Sequence, residues 1–71
     1  MSQIILIPYN NNYYINYRDA AGNEKCLGKV HKEYLNTAIW FYMMEDMDVI
    51  VLEDNVDAID DYFEQKMKDV K

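Results

Sequence analysis

Two unbroken apolar runs, Ile4-Ile5-Leu6-Ile7 and Val49-Ile50-Val51-Leu52, constrain this chain more than any other feature. Four residues make barely one turn of helix, whereas a strand of that length is ordinary. A strand that is apolar at every position, not every second one, is covered on both faces or nearly so. Both runs are therefore expected side by side at the centre of a sheet. With 71 residues the chain supplies one small domain and no more. A folded monomer of this mass exposes about 4,600 Å². No apolar stretch nears the ~18 residues of a membrane span, and no basic segment leads into the first run as in a secretory signal. A cytoplasmic protein with no membrane partner is expected.

The stretches between the runs read as turns, strands and helices. Gln3–Pro8 is the first strand, and Asn10-Asn11-Asn12 a turn, because Asn tolerates the left-handed backbone. Tyr13–Asp19 alternates, with Tyr13, Ile15 and Tyr17 on one face. Ala20-Ala21-Gly22-Asn23 fits a hairpin loop in which Gly22 is free to take positive φ. Glu24–Val30 returns as an edge strand, guarded by Lys25 and Lys29 and weakened by Gly28. Lys32–Glu45 has helical spacing, with Leu35, Ala38, Ile39, Tyr42 and Met43 as the core face. Asp48–Leu52 is the fourth strand. Asp54 or Asn55 caps a last helix that runs to about Val70, its core face Val56, Ile59, Phe63, Met67 and Val70. The order is β-β-β-α-β-α. A meander followed by a helical crossover gives an α+β fold, a four-stranded mixed sheet in order 3-2-1-4 with both helices on one face.

Most catalytic and cofactor chemistries find no support in the residues. His31, Ser2 and Cys26 are each the sole residue of their type. The odd separation of Cys26 and His31 puts them on opposite faces of a strand, so no nucleophile–base pair is expected. A lone cysteine also excludes an internal disulfide and a cysteine-clustered zinc site. Acids flank the fourth strand, but a calcium loop needs Gly at its sixth position. Counted from Asp46 that position is Val51, and counted from Asp54 it is Ile59. With Gly22 and Gly28 the only glycines, no phosphate-cradling loop can be built. The expectation is a non-enzymatic protein with no catalytic residues, metal or cofactor. Direct nucleic-acid binding is argued against by seven scattered cations facing thirteen acids.

Two surfaces stand out instead. Residues 1–44 carry a net charge of +1 and residues 45–71 a net −7. Within the second part, Asp57, Asp60, Asp61 and Glu64 fall at i, i+3, i+4 and i+7, one stripe of a helix. Such a stripe serves either as a plain solvated face, favoured by the helix dipole, or as a substitute for phosphates on a basic partner. The first helix, by contrast, is too apolar. Tyr34, Trp40, Phe41 and Met44 lie off its core face, and a helix resting on a sheet needs only one apolar stripe. Either the last helix covers that flank or it anchors a protein interface. Asn, Ile, Lys and Tyr make up 27 of the 71 residues, and Gly, Ala, Pro and Arg only 8, which points to A/T-rich coding. Small size, acidity and that composition together suggest a phage or mobile-element inhibitor of a host protein with a basic surface, working in the host cytoplasm. The alternative is a small structural domain that homodimerises through the apolar flank.

Overall fold

The computed structural model describes residues 2–69, with side chains through residue 64. Its elements are β1 (Gln3–Tyr9), β2 (Asn12–Arg18), β3 (Glu24–His31), a 3-10 turn (Lys32–Tyr34), α1 (Leu35–Met44), β4 (Asp48–Val51) and α2 (Val56–Asp69). The four strands form one mixed sheet in the order β3-β2-β1-β4. β1 pairs antiparallel with β2 and parallel with β4. The chain is an α+β domain with the topology its apolar pattern implies.

Local chemistry explains the connections. Asn10 and Asn11 both take positive φ, 46° and 63°, which makes the β1–β2 link a tight two-residue hairpin. Asn12 is then free to open β2, and its amide donates back to the Asn10 carbonyl at 3.1 Å. At the β2–β3 hairpin, the Asp19 carboxylate accepts from the backbone N–H groups of Asn23 and Ala21 at 2.9 and 3.0 Å. Those bonds, the one from Asn23 foremost, hold the Asp19 carboxyl below its ordinary pKa. Further along β3, Leu27 is the extra residue of a bulge between the pairs Ile15↔Gly28 and Asn16↔Cys26.

The core is β1. Ile4 and Leu6 point to one side of the sheet and Ile5 and Ile7 to the other. All four are buried, Ile4 and Leu6 at 0% exposure. Cover is therefore needed on both sides. Tyr62 of α2 donates its hydroxyl to Glu24. Glu24 is paired with Arg18, and Arg18 shares its side of the sheet with Ile5, Asn16 and Ile7. α2 thus lies over Ile5 and Ile7. The Leu6 carbonyl accepts from the Leu52 N–H at 3.0 Å, so it faces β4. That backbone direction turns Ile4 and Leu6 to the side on which a right-handed β3–α1–β4 crossover runs. α1 covers that side.

Four details differ from the sequence expectations. One helix lies on each side of the sheet, in place of a single helical layer, because β1 is apolar on both faces. β4 is adjacent and parallel to β1, as its apolar run implies, but it closes the sheet as an edge and is not central. Ile50 and Val51 are accordingly 38% and 40% exposed. The first helix begins later than Lys32, since the His31 ring accepts from the Glu33 N–H at 3.2 Å and caps a 3-10 turn instead. It keeps Leu35, Ala38, Ile39 and Tyr42 half-buried but leaves Met43 exposed. The last helix is capped by Asn55, whose side-chain oxygen accepts from the Ala58 N–H at 2.7 Å. It rests on Ala58, Ile59 and Tyr62, leaving Phe63 exposed and Val56 72% exposed. Met67 and Val70, also expected in that core face, lie outside the described side chains.

Candidate partner-binding surfaces

The outer face of α1 is mostly apolar, with Asn36 and Thr37 its only exposed polar residues. No charged residue occurs between Leu35 and Met44. Tyr34, Trp40, Phe41, Met43 and Met44 are all exposed, Trp40 at 69% and Met44 at 78%. A helix that is apolar all round belongs inside a structure, yet only the Leu35, Ala38, Ile39 and Tyr42 side of this one meets the domain. α2 does not cover the flank, because it lies across the sheet. The expected apolar set Tyr34, Trp40, Phe41 and Met44 is therefore exposed, and Met43 joins it. The clue to Met43 was in the chain: without a polar residue after Thr37, α1 offers nothing else to water.

The acidic set lies elsewhere. Asp57, Asp60, Asp61 and Glu64 are all exposed on α2. Their stripe faces away from Ala58, Ile59 and Tyr62, hence away from the sheet and on the opposite side of the molecule from the α1 flank. The structure brings each set together internally but does not join the two into one patch.

What sets the position of α2 is a polar cluster that hydrophobic periodicity does not reveal. Glu24 accepts from Arg18 Nη2 at 3.0 Å and Nε at 3.3 Å, and from the Tyr62 hydroxyl through its other oxygen. Arg18 Nη1 also donates to the Gln3 side-chain oxygen at 3.2 Å. The Glu24 side chain is only 10% exposed, whereas Arg18 keeps 33% of its side chain in contact with water. The Glu24 bond raises the Arg18 pKa. Burial first, and the Glu24 carboxylate second, push the Tyr62 phenol above its ordinary value. A raised phenol pKa means the protonated form is favoured by folding. Its contribution is complete below the unfolded value of about 10 and is lost as pH climbs through the higher folded value. Thermal unfolding of the wild type between pH 9 and 12 is expected to show this alkaline decline, and Tyr62→Phe to flatten it. Equal alkaline slopes would remove Tyr62 from the cluster.

The remaining single-copy residues play local parts. Cys26 is exposed on the edge strand β3, with its thiol 3.6 Å from the Gly28 carbonyl. His31 serves as the cap described above. Among the described residues, no group of three or more His, Cys, Asp or Glu side chains could hold a metal ion. Nor is any helix among them long and apolar enough to cross a membrane. The class defined by this architecture is a small α+β domain with one largely apolar helix face and one acidic helix face. Comparison with protein-family models, with curated proteins and with solved structures finds no match.

Proposed function

We propose that this chain is a non-enzymatic protein-binding module that blocks a basic, nucleic-acid-binding surface of another protein. The observation that carries the proposal is the segregation of its surface, with apolar side chains gathered on α1 and exposed carboxylates on α2. Neighbouring carboxylates on such a helix stripe are ~5–6 Å apart, a spacing that a groove built for phosphates can accept. A net charge of −6 steers the chain toward cations over longer distances. Inhibition is then competitive: the acidic face occupies the cations that nucleic acid would use. The A/T-rich coding composition supports a phage or mobile-element origin, with a host protein as target and the host cytoplasm as the place of action.

The test is a four-fold variant, Asp57→Asn, Asp60→Asn, Asp61→Asn and Glu64→Gln. It leaves the packed side of α2 untouched and removes only the early-helix dipole contribution, ~0.3–1 kcal/mol per acid at most. Immobilised wild-type chain is expected to capture proteins from a low-GC bacterial lysate that duplex DNA displaces. Their association should be slower by about tenfold or more for the variant, and the wild-type complex should weaken steeply with salt. Equal capture by both chains, or capture indifferent to DNA, would leave the stripe as a solvated face.

A further inference from the structure

We infer that the outer edge of β4 takes a short, basic, extended segment of the partner, which joins the sheet as an antiparallel fifth strand with a cation at each end. This deepens the function proposed above, on which it rests, by naming a second point at which a basic partner is held.

The backbone makes the first part of the case. β4 closes the sheet, and among the described residues no strand pairs with its outer side. Asp48 donates to the Ser2 carbonyl at 3.2 Å and Leu52 to the Leu6 carbonyl at 3.0 Å. Backbone groups alternate along a strand, so these two face β1, while Val49 and Val51 turn their N–H and C=O groups outward. An edge of this kind is a template for another strand. At four residues, β4 has room for a short segment only.

Charge selects the occupant. Glu45, Asp46, Asp48, Glu53 and Asp54 lie at the two ends of β4, all exposed, and no Lys or Arg occurs between Glu45 and Asp54. Val49–Leu52, between them, is apolar throughout. The matching strand is therefore apolar in its middle and cationic at its ends. In antiparallel pairing, its residues opposite Val49 and Val51 exchange both hydrogen bonds with them. Their side chains fall on the side of the sheet that α1 covers, because Val49 and Val51 pair with Ile4 and Leu6. Its residues opposite Asp48 and Glu53 stand ~16 Å apart and are the places for Lys or Arg.

The same charges refuse the other candidates. Like charges placed opposite each other are destabilising, so an acidic strand is turned away, and β4 of a second copy with it. The other edge of a copy, β3, carries Lys25 and Lys29, but the bulge at Leu27 interrupts its ladder. Those lysines also direct a basic segment away from β3 and toward β4.

The test uses the full chain and the probe acetyl-Lys-Thr-Val-Thr-Val-Lys-amide. One control has Glu for both Lys; the other has Pro for both Val, which keeps the charge but leaves no N–H for the Val49 and Val51 carbonyls. The probe is expected to bind at ~1 mM or tighter. It should slow hydrogen exchange at the Val49 and Val51 amides and leave Asp48 and Leu52, already bonded to β1, unchanged. Both controls should bind about tenfold more weakly or worse, and probe binding should weaken between 50 and 500 mM salt. Val51→Pro removes only an outward N–H, and Asp48→Lys changes charge without touching the backbone; each should cost about tenfold. No protection of Val49 and Val51 at ~5 mM probe, or equal binding of the Pro control, overturns the inference. Protection of those amides in the chain alone at ~500 μM overturns it too, since the occupant is then a copy. If the probe loses affinity only in the four-fold acidic variant of α2, the edge is idle and the function proposed above still stands.

Discussion

Leu6→Ala is expected to destabilise the fold by about 3–4 kcal/mol, measured as a fall in urea midpoint at unchanged slope. Leu6 is fully buried, on a strand flanked by β2 and β4, under the helix that covers its side. Neighbours held by two backbone ladders cannot collapse into the space left by the missing carbons, so a cavity term adds to the lost transfer energy. At ~0.05–0.15 kcal/mol per residue, 71 residues give about 3.5–11 kcal/mol in all, so the loss is a quarter of the total or more. The variant is therefore expected to unfold at a markedly lower temperature than the wild type. A loss below about 1 kcal/mol would show that β1 is not packed on both sides.

Glu24→Ala is expected to cost about 2–4 kcal/mol, and to loosen one element more than the rest. Its carboxylate takes two N–H groups of Arg18 and the hydroxyl of Tyr62. Hydrogen bonds to a charged group are worth ~1.5–3 kcal/mol, and the half-buried Tyr62 hydroxyl loses the carboxylate it donates to. Amide exchange should therefore accelerate along α2 well before it does in β1 and β2. Glu24→Gln keeps an acceptor in place and should fall between wild type and Ala. Uniform acceleration across the sheet and α2 alike would mean the cluster does not position the helix.

These expectations also mark where the amino-acid pattern stops informing. The Ile4–Ile7 run, the paired asparagines and Gly22 are local signals, and strands, hairpins and strand order followed from them. The edge position of β4 did not, because an apolar run reports that a strand has apolar neighbours without saying on how many edges it is paired. The rotation of α2 was misread for a different reason. Hydrophobic periodicity favours Val56 and Phe63, yet Tyr62 turns inward because a carboxylate 38 residues earlier in sequence receives its hydroxyl. Long-range polar contacts of that kind leave no periodic trace. The candidate surfaces were legible in part: the four acids form a polar stripe whatever packs beside their helix, whereas the exposure of Trp40 depends on α2 lying across the sheet. That the two sets lie on opposite sides is a property of the crossover, and no count of residues contains it.

The burial of β1 on both sides has a consequence in time. During synthesis β1 emerges before everything that covers it: β2 arrives next, then α1, then β4, and α2 last. At ~5–20 residues per second, the roughly 55 residues from Asn10 to Glu64 take several seconds to follow. For that interval the most apolar strand of the molecule can pair with β2 in a hairpin, a microsecond event, while its second edge stays open until β4 is made and one face until the final helix. The two asparagines of the first turn, which close that hairpin at once, are then the chain's earliest protection against aggregation in the nascent state.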